Sequence, residues 1–273
     1  MSHQLLKGKK GIIFGALDSN SIAWKVALKC KEQGATFTLT NAPVAMRLGT
    51  INTLAQQCDA QVIPADATNV ADLENLFTQS VQILGGKIDF VLHSIGMSPN
   101  VRKKRPYTDL NYDFFHQTLD VSAMSFHKVM QTAHKLDAIA DGASVLALSY
   151  IAAQRIFPDY GDMADAKAML ESIARSFGYH LGKAKGIRVN TISQSPTKTT
   201  AGTGIKGFDA FFDYAQKTAP LGNADAESCA DYCVMLFSDY TRMVTMQNLF
   251  HDGGFSYMGI SQEIVNLLEK ESQ

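Results

Sequence analysis

Short apolar runs alternate with longer amphipathic segments along almost all of this 273-residue chain, and that alternation constrains the fold more than any other feature. Residues 11–15, 36–40, 61–65, 88–93, 144–148, 187–192 and 246–251 read as strands. Between them, residues 21–33, 47–58, 70–84, 112–136, 158–184 and 226–239 read as helices. Strands covered on both faces are short continuous apolar runs, and a parallel pair needs a crossover long enough for a helix. The pattern therefore predicts a doubly wound α/β fold, a parallel sheet with helices on both faces. No Pro/Gly/Ser linker, internal repeat or low-complexity tract divides the chain, so one domain over residues 1–273 is expected. Residues 195–222 lack a clean period and hold four glycines.

Composition excludes several classes. A net charge of −1 argues against a general nucleic-acid binder, whose domain is usually clearly basic. No run of ~18 apolar residues exists, so no membrane insertion is expected. Residues 1–10 are polar and lack the apolar core of a signal peptide, so a cytoplasmic location is expected. Cys30, Cys58, Cys229 and Cys233 show no metal-ligand spacing and read as reduced core thiols. Charge is unevenly spread: residues 221–273 carry net −6 and residues 1–220 net +5. That asymmetry fits either a charged partner or a solvated acidic surface.

Gly15 falls where the first strand ends and the first helix has yet to begin. In doubly wound folds a dinucleotide's pyrophosphate docks there, because glycine lets the backbone approach and the helix N-terminus offers free N–H groups. The loop reads Gly15-Ala16-Leu17-Asp18-Ser19-Asn20-Ser21-Ile22-Ala23, without the fuller G-x-G-x-x-G. The end of the second strand, from Thr40 to Arg47, offers no carboxylate for an adenine ribose. Arg47 either contacts a 2′-phosphate or, the reading preferred, sits in the first turn of the following helix. Asp66 is either a partner for the adenine amino group or an ordinary cap.

Tyr160 and Lys167 form the sharpest pair. Two helical turns apart, they are expected to share one face of the helix beginning near Pro158. A phenol with a pKa near ~10 is a poor acid at neutral pH, and a nearby ammonium makes it a better donor toward developing negative charge. Lys167 can also hold ribose hydroxyls, and Tyr150 can reach the same pocket. The alternative is an amphipathic helix with an interfacial tyrosine and an exposed lysine. Tyr179 and Lys183 offer a rival Tyr-x3-Lys, but late in the same helix. Ligands bind beyond the carboxyl ends of such strands, and the last turn of this helix faces away.

Six segments then occur in order: Ser21-Ile22-Ala23 after the glycine, Leu92-His93-Ser94-Ile95-Gly96, Leu148-Ser149-Tyr150, Tyr160-x6-Lys167, Gly186-Ile187-Arg188-Val189-Asn190 and Asp252-Gly253-Gly254-Phe255-Ser256. Together they resemble the NADH-dependent enoyl-acyl-carrier-protein reductases, a divergent branch of the short-chain dehydrogenase/reductases. The resemblance implies a Rossmann fold with a seven-stranded sheet, a homotetramer, and NADH in preference to NADPH. It implies reduction of a trans-2-enoyl thioester, on acyl carrier protein or coenzyme A, in fatty-acid elongation. Tyr160 would hydrogen-bond the enolate oxygen, Lys167 would bind the nicotinamide ribose, and Tyr150 would stand beside them. Gly15, Ser21, Ile22, Asp66, Ala67, Ser94, Ile95, Gly96 and Lys167 would meet the cofactor. Thr197, Lys198, Thr199, Thr200 and Ala201 would cover it. Ser98, Tyr150, Met163, Phe208 and Phe211 would line the acyl site, with residues 195–220 as a mobile flap.

The chain departs from that pattern in places. Gln194-Ser195-Pro196 stands where the family usually has Ala-Gly-Pro, and Thr245-Met246 replaces a Thr-Gly pair. Lys206 keeps a basic flap position, but Asp209-Ala210 replaces the basic pair that typically follows. Arg102-Lys103-Lys104-Arg105 instead puts four cations after the fourth strand, facing either an acidic carrier or solvent. His93 is expected to be a packing residue. Two rival functions remain at this stage: reduction of another enone or ketone, and nucleotide sensing without catalysis.

Overall fold

The apolar runs pair as their alternation requires. The structure is a computed structural model that describes residues 3–47, 50–200, 202–204 and 207–271. Its strands are β1 (Lys10–Phe14), β2 (Thr36–Thr40), β3 (Gln61–Val62), β4 (Ile88–His93), β5 (Ile139–Ser149), β6 (Arg188–Gln194) and β7 (Asn248–His251). Among the described residues these form one seven-stranded sheet in the order β3-β2-β1-β4-β5-β6-β7, and every pairing is parallel. The order reverses between β1 and β4, which opens a crevice beyond their carboxyl ends. The expected doubly wound α/β architecture is therefore present.

The helices are α1 (Ile22–Glu32), α2 (Pro43–Met46), α3 (Ile51–Cys58), α4 (Val70–Leu84), α5 (Pro99–Arg102), α6 (Tyr112–Leu119) and α7 (Ser125–Lys135). After β5 come α8 (Asp162–Lys185), α9 (Phe208–Thr218), α10 (Ala226–Phe237) and α11 (Gln262–Glu271). Successive strand residues point to opposite faces. Ile13, Leu39, Leu92, Leu146 and Ile192 pack with apolar residues of α1, α3 and α10. Ile12, Phe14, Val91, Val145 and Ala147 pack with those of α4, α7 and α8. Side chains such as Ile12, Ile13 and Phe90 are almost wholly buried, each contributing about 1.5–3 kcal/mol. The four cysteines are free and buried inside these layers.

Several expected boundaries move, each for a local reason. Arg47 closes the short helix α2 instead of opening a longer one, and α3 begins at Ile51. β3 is regular only over Gln61–Val62, although Ile63 N and Ala65 N still donate to Leu39 O (2.9 Å) and Asn41 O (3.1 Å) of the β2 end. β7 begins at Asn248, not 246, because Met246 has a φ of 62° and cannot be extended. The expected helix over 112–136 is broken by a wide π turn at Asp120–Met124. From that turn the Ser122 hydroxyl donates to Met97 O (3.0 Å) and accepts from Met97 N (2.9 Å). Residues 195–222, expected to be irregular, contain α9. Residues 158–184 are not one helix: Pro158–Tyr160 is a separate 3-10 turn, and α8 starts only at Asp162.

Candidate active site

The carboxyl ends of β1, β4, β5 and β6 converge on one crevice. Gly15 follows β1 with a φ of 91°, and a Cβ there would lie 2.0 Å from Ser94 O. Only glycine lets the β1 and β4 turns approach this closely. The next turn is closed by Ser21, whose hydroxyl donates to Asp18 O (2.6 Å) and accepts from Leu17 N (3.2 Å). Helix α1 then begins with no side-chain cap and no acidic residue in its first turn. Its leading N–H groups remain available to an anion, and the helix dipole favours one there.

One cleft collects most of the expected residues. Ile22, Ser94, Ile95, Gly96, Lys167, Thr197 and Thr199, expected at the cofactor, line it. Tyr150, Tyr160, Ser98, Met163, Phe208 and Phe211 line it as well. Gly15, Ser21, Asp66, Ala67, Lys198 and Thr200 are not among its walls. Asp66 is engaged locally, accepting from Thr68 N (2.9 Å) and Thr68 Oγ1 (2.8 Å). Thr200 donates to Asp18, across the mouth of the phosphate loop. Lys198 lines a neighbouring depression with Ser19, Asn20 and Lys25, its ammonium 4.4 Å from the Phe212 ring centroid. Ala201 and Lys206 lie outside the described residues.

Tyr160 and Lys167 reach this cleft by a route different from the expected one. Tyr160 sits on the 3-10 turn, and Gly161, with a φ of 52°, swings the chain into α8. The pair therefore shares a cleft, not a helical face. Tyr160 is 8% exposed and its ring lies 5.0 Å from that of Tyr150. Its hydroxyl has no hydrogen-bond partner among the described residues. Burial pushes its phenol well above the ordinary tyrosine range, so it stays protonated at neutral pH. Desolvation is the cause of that shift.

Lys167 is held elsewhere. Its Nζ donates to Leu148 O at 2.7 Å, and burial pulls the ammonium down to about 8, partly offset by Glu171. Glu171, one turn further along α8, accepts from Ser149 Oγ (2.7 Å) and Gln154 Nε2 (3.2 Å). It thereby clamps α8 onto the end of β5, between the lysine's acceptor and Tyr150. His93 is fully buried beside Phe14 and Phe126, with Nε2 2.9 Å from Ser125 Oγ. Desolvation, reinforced by Lys167, lowers it to about 3, so it is neutral. Tyr179, 54% exposed near the far end of α8, lies outside the cleft.

Three further side chains shape the cleft, and of these neither Glu171 nor Asp162 is marked by the sequence. Glu171 is one. Asp162 is another: fully buried, it accepts from Ser98 Oγ (2.6 Å), Asn100 Nδ2 (2.8 Å) and Thr118 Oγ1 (2.8 Å). Ser98 thus spends its only proton on Asp162 and meets the cleft as an acceptor. The third is Gln194, whose amide bridges His251 Nδ1 (2.7 Å) and Ala224 O (2.9 Å). With Ser195 Oγ accepting from Ala224 N (3.0 Å), it ties the cleft floor to the approach of α10. Phe157, between Tyr150 (5.2 Å) and Phe211 of α9 (5.7 Å), joins the start of the Pro158–Tyr160 turn to the expected flap.

A doubly wound sheet with an uncapped helix at its switch point, and a buried tyrosine and lysine in the adjoining cleft, defines the dinucleotide-dependent oxidoreductase class. The profile described as Enoyl-(Acyl carrier protein) reductase matches residues 15–256. The chain belongs to the enoyl-(acyl carrier protein) reductase family. It is 34% identical over 258 residues to "Enoyl-[acyl-carrier-protein] reductase [NADH] 1" of Rhizobium meliloti, covering 94% of this chain and 93% of that one. It is 31% identical to the Bacillus cereus enzyme FabI, covering 94% of this chain and all of the other. Among solved structures, the FabI–NADH complex from Alistipes finegoldii superposes with a TM-score of 0.94 at 61% identity, covering 95% and 92% of the two chains.

Proposed function

We infer that this chain reduces the carbon–carbon double bond of trans-2-enoyl thioesters with NADH in cytoplasmic fatty-acid synthesis. The observation that carries the reading is the Tyr160 phenol, protonated, without a protein partner, and facing the same cleft as Lys167. NADH, when bound, supplies the hydride for the β-carbon. The Gly15 approach and the open N-terminus of α1 suit its pyrophosphate, and Ser94, Ile95 and Gly96 border its path across the sheet. Tyr160 donates its hydrogen bond to the thioester oxygen as that oxygen gains negative charge, a preorganised oxyanion contact. Lys167 holds ribose hydroxyls and is itself steadied by Leu148 O. Phe208, Phe211 and Met163 give the acyl chain an apolar wall.

Residues 195–220 act as a lid within a single domain, with α9 as its rigid part, hinged near Gly207 and coupled to Tyr150 through Phe157. Tyr240, Met243, Tyr257 and Ile260 are exposed apolar side chains in the acidic C-terminal portion and suit burial between subunits of a homotetramer. Sedimentation should then report about four times the 29.8 kDa chain mass.

The test of function is NADH consumption with a crotonyl thioester and recovery of the saturated product. Tight NADH binding with no turnover of any enoyl thioester would reject the reading. The pH profile adds a second check. The active form carries a Lys167 ammonium, so kcat/KM should fall as pH rises through about 8. Tyr160 does not set that limb, because its own titration lies higher. Glu171→Gln should move the limb to lower pH, since the carboxylate favours the ammonium, whereas Lys167→Arg should flatten it. A limb unchanged by both substitutions would remove Lys167 from this role.

A further inference from the structure

Beside the cleft, residues Arg102, Lys103, Lys104 and Arg105 form an exposed basic loop that the reaction chemistry does not use. The segment is fastened from below. Asp162 receives hydrogen bonds from Ser98 at the start of α5 and from Asn100 within it. Asn100 also brackets Asn111, donating to Asn111 O (3.1 Å) and accepting from Asn111 N (3.1 Å), which closes the loop at its far end. Both Asp162 and Asn100 are fully buried. The four cations are therefore displayed by a braced segment, although loops are usually the more mobile parts of a fold.

Their local neutralisation is incomplete. Arg105 pairs with Asp109 at 3.5 Å, and the Lys103 ammonium lies 5.1 Å from the Phe114 ring centroid. Arg102 and Lys104 have no ion-pair partner among the described residues. Lys104 is held at a φ of 55°, a conformation that Gly or Asn adopts at lower cost. The nearby Asp165 is engaged by Tyr107 OH at 3.2 Å. Arg102 touches the cleft, whereas Lys103, Lys104 and Arg105 line neither cleft nor neighbouring depression and face outward.

We propose that the 102–105 loop is the docking surface for an acidic carrier protein that delivers the enoyl thioester into the cleft. The proposal rests on the enoyl-thioester reading above. An outward array of cations suits an extended carboxylate-bearing surface, whereas phosphates of a free small ligand need a concave site. Arg102 stands at the junction, one side at the cleft and the other in the array.

The experiment compares wild type with the triple variant Lys103→Ser, Lys104→Asn, Arg105→Ser, in which asparagine keeps the backbone of residue 104 tolerable. Three substrates are used: crotonyl carrier protein, crotonyl coenzyme A and crotonyl pantetheine. At low salt the variant's KM for crotonyl carrier protein should rise about tenfold with kcat unchanged, and the gap should close at high salt. KM values for the two small thioesters should stay within about twofold of wild type, since they do not bridge the array. A variant retaining charge, Lys103→Arg with Lys104→Arg, should keep the wild-type KM.

An unchanged KM on carrier protein at low salt would overturn the proposal. So would an equal rise on crotonyl coenzyme A, which would assign the loop to small-ligand phosphates, or lost activity on crotonyl pantetheine, which would show an effect on the cleft itself. If the wild-type chain turned over no enoyl thioester, the functional reading would fall instead. Anisotropy of labelled carrier protein would still report whether the loop binds it.

Discussion

Tyr160→Phe is expected to lower kcat on a crotonyl thioester by about 10²–10³, with NADH affinity unchanged. The size follows from the role. The substitution deletes the proposed donor to an oxygen whose charge grows only in the transition state, so the loss falls on kcat more than on substrate binding. Packing is retained, because the phenylalanine ring keeps the contact with Tyr150. Stability should not fall, since the hydroxyl removed has no hydrogen-bond partner among the described residues. Tyr150→Phe should cost less, because Tyr150 is expected to stand beside the reacting pair, and burial likewise keeps its phenol protonated. Steady-state kinetics, NADH titration and a thermal melt together separate this outcome from general damage.

Asp162→Ala is expected to destabilise the fold by about 2–4 kcal/mol. The substitution leaves Ser98 Oγ and one N–H of Asn100 without their buried acceptor. Thr118 suffers less, because its hydroxyl can return to Phe114 O at 2.8 Å. The first turn of α8 also loses a carboxylate, which the helix dipole favours. A chain of this size should melt roughly 3–7 °C lower. Asp162→Asn keeps acceptor capacity and should fall between the two. An Asp162→Ala melt within a degree or so of wild type would show that the hub is not bracing the loop.

The parallel sheet was legible because each strand is a bounded apolar run and each crossover carries a helical period. The phosphate end was legible through Gly15 alone, and the cleft through Tyr150, Tyr160 and Lys167. What the spacing of Tyr160 and Lys167 could not convey was the break at Gly161, which makes an apparent helical face into a turn followed by a helix. The signal was present in Gly161-Asp162, a glycine followed by an acidic residue suited to a helical first turn. The helix α9 was obscured by its flanking glycines, although Phe208, Phe211, Phe212 and Ala215 repeat at helical spacing.

Asp162 and Glu171 were missed for a deeper reason. A lone carboxylate in sequence looks like a solvated one, and Asp162 meets its partners Ser98, Asn100 and Thr118 only through the tertiary fold. The same holds for Lys167, whose acceptor is a backbone carbonyl of another element. The π turn at Asp120–Met124 leaves no sequence mark, yet it brings Ser122 to Met97 at the cleft wall. Charge asymmetry gains a location from the structure. The basic loop is braced beside the cleft, and the acidic C-terminal portion carries Tyr240, Met243, Tyr257 and Ile260, the exposed apolar residues proposed for subunit contact.

The most direct test of the central claim follows the hydride itself. The chain is incubated with NADH doubly deuterated at nicotinamide C4 and a trans-2-crotonyl thioester, and the product is examined by mass spectrometry and NMR. A saturated butyryl thioester carrying one deuterium, at the β-carbon, is the predicted result. Recovery of unreduced crotonyl thioester, or deuterium on a carbonyl-derived carbon instead of the β-carbon, would contradict the account.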